Sequence, residues 1–180
     1  MVKFAAFFRN LNLGRKNCPS KAQLEQAFLD AGAREASSFH TNGTLVFSAS
    51  TRLGPRRVLL KASALLRAQC GLAEPAFVRS VPYLASLVAG EPFALIDRSL
   101  IHECCVSFLD RNATVPSEVP AEAKCQAVEV LRFTAGEAFS LSRKIGKTPG
   151  SPNMLLEKLL GLPATTRSWN TITRLVRKHA

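Results

Sequence analysis

The segment Arg9-Asn-Leu-Asn-Leu-Gly-Arg-Lys-Asn-Cys-Pro19 holds the densest set of side chains able to recognise an anion: Arg9, Asn10, Asn12, Arg15, Lys16 and Asn17, with Gly14 among them. Arg and Lys supply charged donors, and Asn supplies amide donors of fixed geometry. A second, shorter group is His40-Thr-Asn-Gly43, which contributes His40, Asn42 and the backbone of Gly43. A third is Arg143, Lys144 and Lys147 around Gly146, a spacing suited to phosphate contact from a loop. In the tail, the single tryptophan Trp169 and its neighbour Asn170 add a stacking surface and an amide. Each group also has a plain structural reading. Asn and Gly fill turns for backbone reasons alone, and Trp169 shares a helical face with Ile172, Thr173 and Val176 that could simply dock the last helix.

Catalytic constellations are sparse. There is no G-x-S-x-G, no Walker loop and no G-x-G-x-x-G, so no cofactor is expected. The histidines are His40, His102 and His179. His102 and Cys104 alternate along a strand and share a face, but two ligands do not make a zinc site, and no metal is expected. Adjacent Cys104 and Cys105 read as small apolar residues. Cys18, near Arg15 and Lys16 at a helix start, is the cysteine placed to be nucleophilic, without an identified base. The acidic stretch from Glu91 to Glu137 has no D-x-D or E-x-x-E pattern.

Charge is distributed in blocks. The net charge is +11 over 180 residues, from 24 Lys/Arg against 13 Asp/Glu. Residues 1–90 carry 12 basic against 4 acidic residues, 91–139 carry 4 against 8, and 140–180 carry 8 against 1. Basic ends around an acidic middle suit a phosphate-bearing partner, nucleic acid or a phosphorylated small molecule, and equally a solubilising surface. A hydrophobic content of 47% suffices for a core. No run approaches the roughly 18 apolar residues of a membrane span, so no membrane association is expected. The start of the chain has no secretory pattern, and five scattered cysteines form no C-x-x-C pair, which fits a cytoplasmic protein.

The elements that must position these residues follow from periodicity. Val2–Phe8 is an apolar run that reads as a buried central strand. Ser20-Lys-Ala-Gln23 is a capping box, and Leu24, Ala27, Phe28 and Ala31 then share a helical face closed by Gly32. Leu45–Phe47 reads as a strand, preceded by the Asn42-Gly43 hairpin signal and an ambiguous stretch from Ala36 to His40. Gly54-Pro55 opens a helix to about Cys70, and Pro75–Arg79 is a further strand. This βαββαβ order is the ferredoxin-like unit, in which the first and third strands pair. The Arg9–Lys16 loop is therefore expected at the same edge as the His40–Gly43 turn.

Beyond it the patterns predict a helix over Pro82–Ala89, a strand over His102–Leu109, and over Pro116–Lys124 a weak helix or mostly loop. A hairpin of Ala127–Thr134 with Glu137–Ser142, a helix from Ser151-Pro152 to Leu160, and a last helix from near Ser168 complete the chain. The second half thus repeats βαββα, with a helix where the final strand would be.

Three ordered motifs carry a resemblance: Phe8-Arg-Asn-Leu-Asn-Leu-Gly14, Phe39-His-Thr-Asn-Gly-Thr-Leu-Val-Phe-Ser48 and Thr166-Arg-Ser-Trp-Asn-Thr-Ile-Thr-Arg-Leu175. Together the chain resembles the bacterial family catalogued as domain of unknown function number 1697, over essentially its whole length. The resemblance implies two ferredoxin-like subdomains and no established activity. Arg9, Asn12, Gly14, Gly43, Trp169, Asn170 and Thr171 match its pattern. Asn10, Arg15, Thr41, Thr44 and Ser168 depart from it, implying a member whose ligand preference is altered or lost.

The expectation is an α+β protein of two tandem ferredoxin-like subdomains, residues 1–80 and 81–180, with antiparallel sheets and a C-terminal helix. Its expected role is binding an anionic ligand, nucleic acid included, at the first-loop and first-hairpin edge. The candidate contacts are Arg9, Asn10, Asn12, Lys16, His40, Asn42, Gly43, Arg143, Lys144, Trp169 and Asn170. The competing readings are an enzyme acting on a phosphorylated or acyl small molecule in a cleft between the subdomains, and a protein-interaction module. Catalytic residues and oligomeric state are left open.

Overall fold

A strand that is apolar at successive positions must be covered on both faces, and β1 (Val2–Phe8) is accordingly an inner strand, with Ala5, Ala6, Phe7 and Phe8 all fully buried. The computed structural model describes residues 2–50 and 54–180. They divide into two units: the chain up to Ala85 together with Lys178–Ala180, and Ser86–Arg177.

In the first unit β1 is followed by α1 (Lys21–Asp30), β2 (Glu35–His40), β3 (Thr44–Ala49), α2 (Pro55–Cys70) and β4 (Ala76–Ser80). The Ser20 capping box forms as expected: Gln23 N donates to Ser20 Oγ at 3.2 Å, and Ser20 N donates to Gln23 Oε1 at 2.8 Å. The sheet runs β2-β3-β1-β4 with antiparallel neighbours. One face buries Phe8, Phe28 and Phe47, with ring centroids 6.1 Å apart for Phe8–Phe28 and 5.0 Å for Phe28–Phe47. Truncating any of these rings to Ala would cost about 3–5 kcal/mol. The end of the chain returns here: Lys3 Nζ donates to the His179 carbonyl at 3.2 Å, and the His179 ring lies 6.0 Å from Phe39.

The chain leaves this unit through α3 (Val81–Ala89). The second unit continues with β5 (Glu103–Phe108), β6 (Val128–Phe133), β7 (Glu137–Ser142), the two-residue strands β8 (Lys144–Ile145) and β9 (Thr148–Pro149), α4 (Pro152–Leu160), β10 (Thr165–Ser168) and α5 (Trp169–His179). Its larger sheet runs β10-β5-β7-β6, again antiparallel throughout. Counted within its own unit, each four-stranded sheet has the same order, second–third–first–fourth. Under α4 lies a core of Leu109, Val130, Ala138, Leu156 and Ala164. Among the described residues no helix is long and apolar enough to cross a membrane.

Three expectations change. The final strand of the second unit exists: β10 pairs with β5 from Thr165↔Phe108 to Ser168↔Cys105. Its sequence, Thr-Thr-Arg-Ser, has no apolar alternation, because the buried positions are Thr165 and Arg167. Of the two readings of Pro116–Lys124 the helix gives way to the loop, which holds a single 3-10 turn at Ala121–Ala123. The basic loop around Gly146 is a small hairpin of β8 and β9. In the first unit the ambiguous stretch is β2, and it joins β3 through three residues, Thr41 to Gly43, with a bulge between Ser38 and His40.

Candidate functional site

Antiparallel pairing of Phe7 with Thr44 sets the exit of β1 beside the β2–β3 turn. Two backbone bonds then tie the first loop to that turn: Phe8 N donates to Gly43 O at 2.9 Å, and Leu13 N donates to Thr41 O at 2.9 Å. Gly43 has φ +72°, and a Cβ there would lie 2.8 Å from Leu11 Cβ and 3.0 Å from Phe8 Cβ. Only glycine permits this approach. The loop closes on itself as well, with Gly14 N donating to Pro19 O at 3.0 Å and Cys18 N to Arg15 O at 3.0 Å. Asn10 and Asn17 take left-handed backbone, φ 49° and 58°, which Asn tolerates better than most residues.

The predicted contacts separate within this edge. Arg9 is half-buried, and its Nη1 meets Glu74 Oε2 at 2.6 Å, anchoring the loop to the segment before β4. Asn42 Oδ1 accepts from Thr44 Oγ1 at 2.9 Å, and the His40 ring lies edge-on to Phe39 at 4.8 Å. The exposed members are Asn10, Asn12, Arg15, Lys16 and Asn17. Among the described residues neither Arg15 nor Lys16 has an ion-pair partner. Arg15, absent from the predicted contacts, thus stands beside Lys16 as the free charge of the loop.

In the second unit Arg143 is engaged: its Nη2 meets Glu129 Oε2 at 2.8 Å across the β6–β7 hairpin. Lys144 is exposed on β8. These two residues lie in a different unit from the first loop.

Trp169 and Asn170 occupy the first turn of α5, and Ser168 Oγ accepts from Thr171 N at 3.2 Å to cap it. Trp169 sits in an aromatic triangle, 5.4 Å from Phe93 and 5.9 Å from Phe139, with Phe93 and Phe139 6.0 Å apart. Beside it opens a cleft of about 410 Å³ whose lining includes Arg98, His102, Glu103, Cys104, Trp169 and Asn170. A second hollow of about 420 Å³, reaching Glu91 and Phe93, shares Arg98, Trp169 and Thr173.

Burial pushes the Cys104 thiol above its ordinary value, with Arg98 pulling the other way and Glu103 reinforcing the rise. Burial pushes Cys105 up to about 12. Neither is an activated nucleophile. Among the described residues no three His, Cys, Asp or Glu side chains converge to hold a metal. Arg98 carries no sequence signal. It lies in the irregular segment between α3 and β5, and only the fold brings it to Trp169.

The profile of the family described as "Protein of unknown function (DUF1697)" matches residues 1–139 of the chain. The chain is also similar to a conserved bacterial protein from Streptococcus pneumoniae, whose solved structure superposes with a TM-score of 0.66 at 14% identity, covering 99% of each chain. At that identity the likeness concerns the fold. No protein of curated function matches.

Proposed function

We propose, from the premise that the chain belongs to the DUF1697 family of proteins of unknown function, that it binds an anionic ligand, nucleic acid in particular, on the first loop of its first unit. The observation that carries this reading is the pairing of rigidity with free charge. The loop is tied at Leu13 and Phe8 to the β2–β3 turn, while Arg15 and Lys16 stand exposed with no acidic partner among the described residues. A pre-set loop loses little conformational entropy on binding, so the Coulombic attraction is not spent on ordering it. Arg15 and Lys16 supply the charge, and Asn10 and Asn12 supply orienting amides. Arg9 acts through Glu74 as the anchor of the loop, and Gly43 as the floor beneath it.

In this reading each unit is a ferredoxin-like subdomain, residues 1–80 and 81–180, with the last residues returning to the first. Support comes from the shared second–third–first–fourth strand order. The second subdomain then lacks its first helix, replaced by the irregular segment with its single 3-10 turn. Five free cysteines agree with a cytoplasmic setting.

The test is binding of labelled single- and double-stranded DNA and RNA oligonucleotides across a salt series, with Arg15→Ala and Lys16→Ala alongside. The expected result is log affinity falling linearly with log salt, the slope shrinking by about 1 in each variant. No binding at low salt, or binding indifferent to both substitutions, overturns the reading.

A further inference from the structure

Away from the first loop, the cleft at the start of α5 combines three features that a solvated groove does not need. Its aromatic wall is rigid, because Phe93 and Phe139 hold Trp169 by edge contacts on the body of the unit, while the indole remains only partly buried. Its rim carries an exposed cation, Arg98, whose guanidinium is near enough to Cys104 to pull that thiol's pKa down against the effect of burial. The turn that closes it offers donors. Ser168 Oγ takes the amide of Thr171, whereas the amides of Trp169 and Asn170 have no acceptor among the described residues.

The volume, about 410 Å³, lies in the range of small-molecule sites. A flat π-face, a guanidinium and backbone donors in one concavity, with Glu103 the one acidic residue of its lining, match a planar ring joined to a single compact anion held at the Arg98 end. The indole stacks on the ring, Arg98 neutralises the anion, and the Asn170 side chain can donate to it or to a ring heteroatom.

We propose that this cleft binds a heteroaromatic monophosphate of mononucleotide size, the ring against Trp169 and the phosphate at Arg98. The site is separate in sequence and in unit from the first loop and does not depend on the nucleic-acid reading.

Trp169 is the only tryptophan, so tryptophan emission, excited selectively over that of Tyr83, reports on this cleft. The full chain is titrated at fixed ionic strength with adenosine 5′-monophosphate, adenosine and inorganic phosphate in separate arms. The expected result is a saturable fluorescence change with the monophosphate, at an affinity at least about tenfold tighter than adenosine, since a hydrogen bond to a charged group is worth about 1.5–3 kcal/mol. Arg98→Gln, at an exposed position where folding is not at stake, erases that preference and leaves the adenosine curve in place. Lys16→Ala leaves all three curves unchanged. Three outcomes overturn the proposal: no saturable change with the monophosphate, equal affinity for monophosphate and adenosine, or loss of binding in Lys16→Ala rather than in Arg98→Gln.

Discussion

Leu11 packs over Gly43 so closely that a methyl group placed on the glycine would lie 2.8 Å from the Leu11 Cβ. This contact, with the Leu13–Thr41 hydrogen bond beside it, makes the first loop and the first hairpin one body. Gly43→Ala must shift buried side-chain stems and adopt φ +72°, and the expected cost is about 2–4 kcal/mol. Gly14→Ala is the internal comparison. Gly14 has φ +79° but nothing within 4 Å of a Cβ, so only the backbone term of about 1–2 kcal/mol applies. Urea unfolding midpoints of the two variants check this, and equal losses would mean that the close approach to Leu11 is not what matters.

Arg167 is 6% exposed within β10, donating through Nη1 to Thr165 Oγ1 and to the Thr166 carbonyl, both at 2.8 Å. Burial lowers its pKa to about 10, which still leaves it charged at neutral pH. Arg167→Ala removes these bonds and opens a cavity, with an expected loss of about 3–5 kcal/mol. Arg167→Lys should recover little, because the shorter lysine stem does not bring its ammonium to the Nη1 position from which both acceptors are reached. Equilibrium unfolding separates the three proteins, and a fully stable lysine variant would contradict the account.

Burial holds the Cys105 thiol protonated up to about 12, against an ordinary value of 9.0. The native state therefore keeps a proton that the unfolded state has lost, so this residue's contribution falls as pH rises from about 9 towards 12. The slope approaches about 1.4 kcal/mol per pH unit. Cys105→Ala should flatten that part of the stability profile relative to the unsubstituted protein. At pH 8 the same burial predicts an order of alkylation by iodoacetamide, exposed Cys125 first and Cys105 last, read by peptide mass spectrometry.

The Arg143–Glu129 pair at 2.8 Å is about one-third exposed on each side. A double-mutant cycle with Arg143→Ala and Glu129→Ala should give a coupling near the upper end of surface pairs, about 0.5–1 kcal/mol, shrinking in high salt. A guanidinium so engaged is a poor phosphate donor, so Arg143→Ala should change oligonucleotide affinity less than Lys16→Ala does. The opposite order would relocate the anion surface to the β8–β9 hairpin.

Much of the architecture was legible in the residues because its causes are local. The apolar run of β1, the Ser20 capping box, Pro55 with Gly71 around α2, and the alternation of β6 and β7 each act within a few positions of the chain. The neighbouring of the first loop and the His40–Gly43 turn also followed, once the strand order was read from the element order.

What the tertiary structure decided depends on distance along the chain. β10 is invisible to hydrophobic patterning, because pairing with β5, about 60 positions earlier, stabilises a polar strand that has no periodicity of its own. Arg9 looks free in the sequence until Glu74, 65 positions away, arrives to pair with it. Arg98 and Trp169 share a cleft though they come from opposite ends of the second unit. Composition and periodicity dictate which segments become strands and helices through short-range sterics and burial. Which charges are neutralised and which remain available to a ligand is set by long-range packing, because an ion pair or a cleft exists only between groups that folding has brought within a few ångströms.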